Sequence, residues 1–257
     1  MQDFSMGPWT LVLAIVTSFI GSLIGLSCVA RARRECRRRH AVLWTACGAV
    51  AIGGVAIWLA HFIAMLGFAV TDSQVRYSAW LTALSAMVAI VFVHIGLSIV
   101  TLRRFTAQRL VCAGAVAGVG IAFMHYLGMT AIRFQGDIAY DPLPVLLSVV
   151  IAVVAATAAF WFTVVVTATP ARLAAALAMA GAVAGVHYTG MAAVSVIVIP
   201  AQPAPLDTDA FDLVFPVFVI SGLVIAALLW ALFTSVGPEL GRGQQHAEPG
   251  ALAGRAH

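Results

Sequence analysis

Three histidines stand in a chain otherwise poor in polar side chains, and each is followed four residues on by a methionine. The best-formed copy reads Met124-His125-Tyr126-Leu127-Gly128-Met129. A near copy comes 62 residues later, Val186-His187-Tyr188-Thr189-Gly190-Met191, and a worn one 64 residues earlier, Ala60-His61-Phe62-Ile63-Ala64-Met65. Residues i and i+4 share a helix face, so each copy projects an imidazole and a thioether side by side. That pair of donors suits copper, above all Cu(I), whereas hard ions want carboxylates. The competing account is packing, with each histidine bonded to a neighbouring helix and each methionine filling space. Three copies with the same partner favour a metal site over packing. His61, His125 and His187 are the expected ligands, Met65, Met129 and Met191 complete or tune the site, and Met124 joins them or packs. Tyr126 and Tyr188 either orient a ligand by hydrogen bonding or are aromatic side chains of a membrane interface.

The elements that carry these residues are membrane spans. The chain has 257 residues, 62% of them hydrophobic and 9% charged, with a mean hydropathy of +1.03, which excludes an ordinary soluble domain. The fold class is all-α integral membrane, with seven transmembrane helices predicted over 9–30, 42–69, 79–102, 109–132, 143–168, 171–199 and 213–236. Pro142, Pro144, Pro170, Pro200, Pro203, Pro205 and Pro238 fall at the boundaries, where a missing N–H does least harm. Pro216 lies near the start of the last span, where it is tolerated. The first apolar run lacks a basic stretch in front and is too long for a signal-peptide core, so it is read as a retained helix.

Arginine sets the orientation, for the sequence contains no lysine. Arg31, Arg33, Arg34, Arg37, Arg38, Arg39, Arg103, Arg104, Arg109, Arg172, Arg242 and Arg255 fall on one side, and only Arg76 and Arg133 on the other. The positive-inside rule makes the arginine-rich side cytoplasmic, giving an N-out/C-in topology in a bacterial cytoplasmic (inner) membrane. The opposite side carries Asp72, Asp137, Asp141, Asp207, Asp209 and Asp212. His125 lies 16 residues past Arg109 and His187 lies 15 past Arg172. At 1.5 Å per residue that is roughly 24 Å into a core about 30 Å thick. His61 falls at a comparable level, which puts all three histidines in one layer of the outer leaflet, with the methionines a turn further out.

A second repeat supports the same division. Ile24-Gly25-Leu26-Ser27 recurs as Ile95-Gly96-Leu97-Ser98, each soon followed by arginines. The expected plan is a short external segment over 1–8 and three helix-pair repeats near 9–69, 79–132 and 143–199. A seventh helix over 213–236 and a cytoplasmic polar tail over 237–257 complete it. Gly54, Gly118 and Ala180 stand seven residues before the histidines. With Ala64, Gly128 and Gly190 they are expected to let neighbouring helices approach closely, as a site shared by the three histidine helices needs.

Met-His-Tyr-x-Gly-Met on alternate helices, arginine-rich inner loops and seven spans together resemble the MHYT family of bacterial integral membrane sensors, over residues 9–236. The second copy matches the motif fully, the third has Val186 for methionine, and the first keeps His61, an aromatic Phe62 and Met65. The resemblance implies a sensory module that binds copper at its His and Met residues and senses oxygen, carbon monoxide or nitric oxide. Many relatives carry a cytoplasmic output domain for cyclic-di-GMP chemistry. Here about 20 polar residues follow the last span, so the expectation is a non-enzymatic module that signals to a separate cytoplasmic partner.

Two further readings belong to other classes: haem held between two of the histidines, and metal transport or handling. A coupled carrier would want an intramembrane Asp or Glu, which none of the predicted spans supplies. Retinal is excluded because its Schiff base needs a lysine. No constellation for hydrolysis or group transfer stands out, and the charge pattern is that of membrane loops on a lipid bilayer, with no nucleic-acid footprint. His94, alone on the third span, is expected to be a hydrogen-bond donor in helix packing. His40, His246 and His257 are expected in solvent. Cys28, Cys36, Cys47 and Cys112 lack metal spacing and are expected as small buried hydrophobes on a side where disulfides are rare. The Arg31–Arg39 run is expected to set topology and to touch anionic headgroups.

Overall fold

A computed structural model describes residues 7–70, 73–199, 203 and 205–235. Most of the 1–8 segment, Asp72, Pro200 and the tail over 237–257 with Arg242, His246, Arg255 and His257 lie outside the described residues. Among those described, seven helices are long and apolar enough to cross a membrane. They are α1 (Trp9–Arg34), α2 (Arg38–Met65), α3 (Ala79–Thr101), α4 (Ala107–Thr130), α5 (Pro142–Val165), α6 (Thr169–Met191) and α7 (Ala210–Thr234). The chain is therefore a multi-pass membrane protein.

Local chemistry fixes the ends. Thr106 caps α4 by accepting from the Arg109 N–H. Asp141 caps α5 by accepting from Leu143 N, with Pro142 in the first position, and Asp209 caps α7 by accepting from Phe211 N. Arg31, Arg33 and Arg34 fill the last turn of α1, where cations complement the free carbonyls.

Helices α1 to α6 form a closed ring: each packs on the next, and α6 returns to α1. Helix α7 lies outside that ring against α1 and α2, with Phe211, Phe215, Trp230 and Phe233 exposed. Small residues dominate the contacts inside the ring, as they do wherever burial from water cannot drive helices together. Gly21 of α1 meets the backbone of Ala56, and Gly53 of α2 meets the backbone of Ala89 on α3, so α2 is pressed from both sides. The same stretch of α2, Val50–Leu59, is π-helical. Wider turns of this kind concentrate at functional sites, and this one ends two residues before His61.

The connections at one end of the bundle pair as short strands. These are β1 (Arg76–Tyr77), β2 (Ile132–Arg133), β3 (Gly136–Tyr140), β4 (Val194–Val198) and β5 (Thr208–Asp209). They form an antiparallel β2-β1-β5 sheet and a β3-β4 ribbon. Arg76 lies in register with Arg133 on one side and Asp209 on the other, and its guanidinium is 3.7 Å from the Asp209 carboxylate. The opposite charge on β5 offsets the like pair on β2.

Several expectations need correction. The spans are all helical, as expected, and the five short strands are an addition confined to the connections. The sixth span ends at Met191 and not at 199, because β-branched Val194-Ser195-Val196-Ile197-Val198 pairs with Gly136–Tyr140 and leaves the helix. The second span ends at Met65 and begins at Arg38, earlier than expected. The last begins at Ala210, which brings Asp212 into its first turn, so one helix end does carry a carboxylate beside the positive end of its dipole. Gly118 packs against the backbone of Val153 on α5 and Gly54 against the Ile90 side chain on α3. They let neighbouring helices approach closely, as expected, the neighbours being the intervening helices α5 and α3.

Candidate functional site

The three histidines meet. His61 comes from α2, His125 from α4 and His187 from α6, and all are buried, with 4%, 2% and 5% of their surface exposed. One nitrogen from each lies within 4.8 Å of the others. His61 Nδ1 stands 3.0 Å from His187 Nδ1 and 3.4 Å from His125 Nδ1. The ring centroids are 4.9, 5.0 and 5.4 Å apart, all edge to face. His61 is thus the hub, touching both partners through one nitrogen.

The Gly three residues after each well-formed histidine has a specific use. A Cβ on Gly128 would sit 2.7 Å from His61 Nε2, and a Cβ on Gly190 would overlap the His125 imidazole. Each of these glycines is therefore a seat for the preceding copy's imidazole. The ring plane is pinned between the glycine backbone on one side and the other two imidazoles on the other. The cost is polar: Nε2 of His61 and of His125 are buried with no hydrogen-bond partner. A buried, unpaired ring nitrogen is expensive, and these two face the glycine seats, on the far side of each ring from the converging Nδ1 atoms.

Where two Nδ1 atoms face each other at hydrogen-bond distance, one must carry a proton or both must share a cation. For a nitrogen–metal bond of about 2.0–2.1 Å, trigonal or tetrahedral placing sets ligand nitrogens about 3.3–3.6 Å apart. The His61–His125 distance of 3.4 Å falls in that range, and the His61–His187 distance of 3.0 Å is slightly inside it.

Met65, Met129 and Met191 are also brought together, in one buried cluster with Phe68, Tyr77 and Phe134 on the strand side of the histidine layer. Met65 lines a small space with His61 and Gly128. Met124 faces the other way and lines, with the three histidines, an apolar cavity of about 60 Å³ that extends toward Phe160. Met179 of α6 lines it too, a thioether that the four-residue spacing did not single out. Ser22 is the remaining polar group of that cavity, and Ser18 lies beside His61 and His187 on the α1 side. Both hydroxyls are buried without a partner. Their signal was available in the sequence, as serines four apart inside an apolar helix, but only the fold aims them at the histidines.

The Tyr126 hydroxyl donates to Ser148 Oγ at 2.7 Å, since Ser148 itself donates to the Val145 carbonyl. The Tyr126 and Tyr188 rings meet His125 and His187 edge to face, at 4.9 Å in both cases. Outside the helices, burial pushes the Tyr77 phenol up to about 12, and its hydroxyl donates to the Met65 carbonyl. Burial, with Tyr126 beside it, raises Tyr140 as well.

Two further expectations are corrected. His94 makes no hydrogen bond among the described residues, and its Nδ1 is buried. Cys36 and Cys112 are exposed, and only Cys28 is fully buried among the four free cysteines.

The MHYT family model, described as a bacterial signalling protein N-terminal repeat, matches residues 54–113 and 118–176. The chain is 36% identical over 191 residues to the bifunctional diguanylate cyclase/cyclic di-GMP phosphodiesterase MucR of Pseudomonas aeruginosa, covering 72% of this chain and 27% of MucR. It is 30% identical over 248 residues to the cyclic di-GMP phosphodiesterase NbdA of the same organism, covering 91% of this chain and 30% of NbdA. The signaling protein YkoW of Bacillus subtilis is 30% identical over 159 residues, covering 59% of this chain and 19% of YkoW. The chain spans less than a third of the length of these relatives. No solved structure matches it. Two copies of the family repeat, together with relatives that are signalling proteins, make this chain a member of the MHYT family.

Proposed function

We propose that the chain is a membrane sensory module in which His61, His125 and His187 hold a copper ion through Nδ1. The observation that carries this reading is the convergence of three buried Nδ1 atoms with two Nε2 atoms left unpaired behind them. With all three Nδ1 lone pairs turned inward, every Nε2 carries the proton, and the three rings share one tautomer. The donor set of imidazoles with thioethers nearby favours copper, and among the described residues no carboxylate joins the three histidines to favour a harder ion. Met65, Met129, Met191 and Met124 flank the layer and tune or complete it, and Tyr126 and Tyr188 fix the two imidazoles they abut.

Reduced copper with an open position supplies affinity for oxygen, carbon monoxide or nitric oxide, or a response to redox state. The chain's own part is to exclude water and to give a small molecule room, and the 60 Å³ apolar cavity beside the histidines is suited to both. Helices α2, α4 and α6 meet at this layer through their imidazoles, so a change in the separation of those rings is a change in the packing of three helices. A signal requires two such packings with different affinity for the ligand. The orientation that fits the arginine distribution is N-out/C-in in the bacterial cytoplasmic (inner) membrane, with the strands outside and a signalling partner on the arginine-bearing side. Cyclic-di-GMP chemistry, named for MucR and NbdA, is the output class such a partner would serve.

Haem fits these residues poorly. A macrocycle has to pass between two axial imidazoles, and nitrogens 3.0 Å and 3.4 Å apart leave no gap for it. The test is copper bound per chain in purified protein, as isolated and after removal and reloading under reducing conditions. Near-stoichiometric copper that is lost with His125→Ala plus His187→Ala is expected. Equal copper in parent and variant would overturn the assignment.

A further inference from the structure

Away from the histidine layer, a groove of about 550 Å³ opens between the start of α2 and the second half of α3, at the arginine-bearing end. Arg38 stands on one side of it and Arg103 on the other, both exposed. Neither has an ion pair or a side-chain hydrogen bond among the described residues. Glu35 is the acidic side chain described at this end, and it is engaged at 3.3 Å with Arg31 and lies 3.8 Å from His40. The two guanidiniums therefore keep their charge unneutralised. Arg37 supplies no side-chain cap to α2, so the first N–H groups of that helix add to the positive field.

Below the arginines the groove changes character. Ile95 and Leu102 give it an apolar wall on α3. Ser98 and His94 lie about one and a half and two and a half turns deeper than Arg103. His94 lines the groove, and its Nδ1 is buried with no hydrogen-bond partner among the described residues. Two cations at the rim, with apolar Leu102, Ile99 and Ile95 interleaved with Ser98 and His94 inward along α3, offer a phosphate contact continuous with a surface for ester groups and an acyl chain.

We propose that this groove is a binding site for one anionic phospholipid, with the phosphate between Arg38 and Arg103 and the ester region against Ser98 and His94. Guanidinium groups suit phosphate because they offer several donors in a planar fork. The lipid ties the loop between α1 and α2 to the end of α3, two segments that otherwise present bare positive charge to each other. This site is independent of the histidine layer and of any metal there.

The test is native mass spectrometry of the full chain in detergent, with phosphatidylglycerol and phosphatidylcholine of matched acyl chains offered together. One retained phosphatidylglycerol is expected, at about tenfold or more over phosphatidylcholine, the order that two surface cations supply. Arg38→Gln plus Arg103→Gln should bring retention down to the phosphatidylcholine level, while Arg33→Gln plus Arg34→Gln, an equal charge loss at the same end of the bundle, should leave it. His94→Leu should weaken retention and keep the headgroup preference. Equal retention of the two lipids by the unaltered protein would overturn the proposal. So would equal loss in both arginine pairs, or displacement by inorganic phosphate, which would make the site one for a free anion.

Discussion

The helix that carries His61 differs from the helices that carry His125 and His187 in the features that matter at the layer. Helix α2 is squeezed between α1 and α3, runs through a π-helical stretch, and delivers the one imidazole that touches both others. Helices α4 and α6 are regular α-helices whose glycines, Gly128 and Gly190, seat a neighbour's ring. The copy whose motif is most eroded is thus the centre of the cluster. The difference teaches that motif quality and geometric importance need not coincide. Tyr126 and Tyr188 follow the two peripheral histidines, and Gly128 and Gly190 receive a ring, whereas His61 has Phe62 and Ala64 in those places.

The largest expected effect separates hub from rim. His61→Ala should lower bound copper below about a tenth of the parent, at least the loss that outer-shell changes around a metal already cause. His187→Ala should leave a weaker two-imidazole site with intermediate copper. Metal analysis of the two variants checks this, and the reverse order would refute the hub role.

Next come the glycine seats. Gly190→Val drives a branched side chain into the His125 ring and should destabilise the protein by about 1–3 kcal/mol, the usual range for overpacking. Gly181→Ala, on the same helix with nothing within 4 Å of its Cβ, should instead be neutral or stabilising by up to about 1 kcal/mol. Thermal unfolding in detergent measures both, and similar shifts for the two would show that the seat carries no strain.

Smaller still is Tyr126→Phe. It removes the hydrogen bond to Ser148, costs about 0.5–1.5 kcal/mol, and should leave copper content unchanged. A drop in copper would give the tyrosine a direct part in the site. The mildest effect concerns pH. Burial raises the Tyr77 phenol to about 12, so the folded state holds that proton more tightly than the unfolded chain, whose value is 10. Its contribution to stability is therefore fully present below about pH 10 and fades as pH rises through about 12. A tyrosinate absorbance titration should lose its last component in Tyr77→Phe.

By itself the sequence determined the seven spans, because runs of about 20 apolar residues have no other stable place and their arginines mark the ends. It determined also that three histidines share a level, since the 62- and 64-residue spacing repeats a helix pair. It determined the imidazole–methionine pairing on one helix face, which follows from 3.6 residues per turn. What only the tertiary structure decided is which atoms meet. The ring closure of α1 to α6 turns three equal levels into one point of contact, and the squeeze on α2 by Gly21 and Gly53 makes the worn copy its centre. The strands were hidden because paired backbone across distant loops leaves only a short β-branched run as a trace, as at Val194–Val198. The seats for the rings were half legible: the glycine three residues after each histidine announced a close approach, but what approaches, an imidazole from the preceding copy, depends on helices separated by more than 60 residues coming into register.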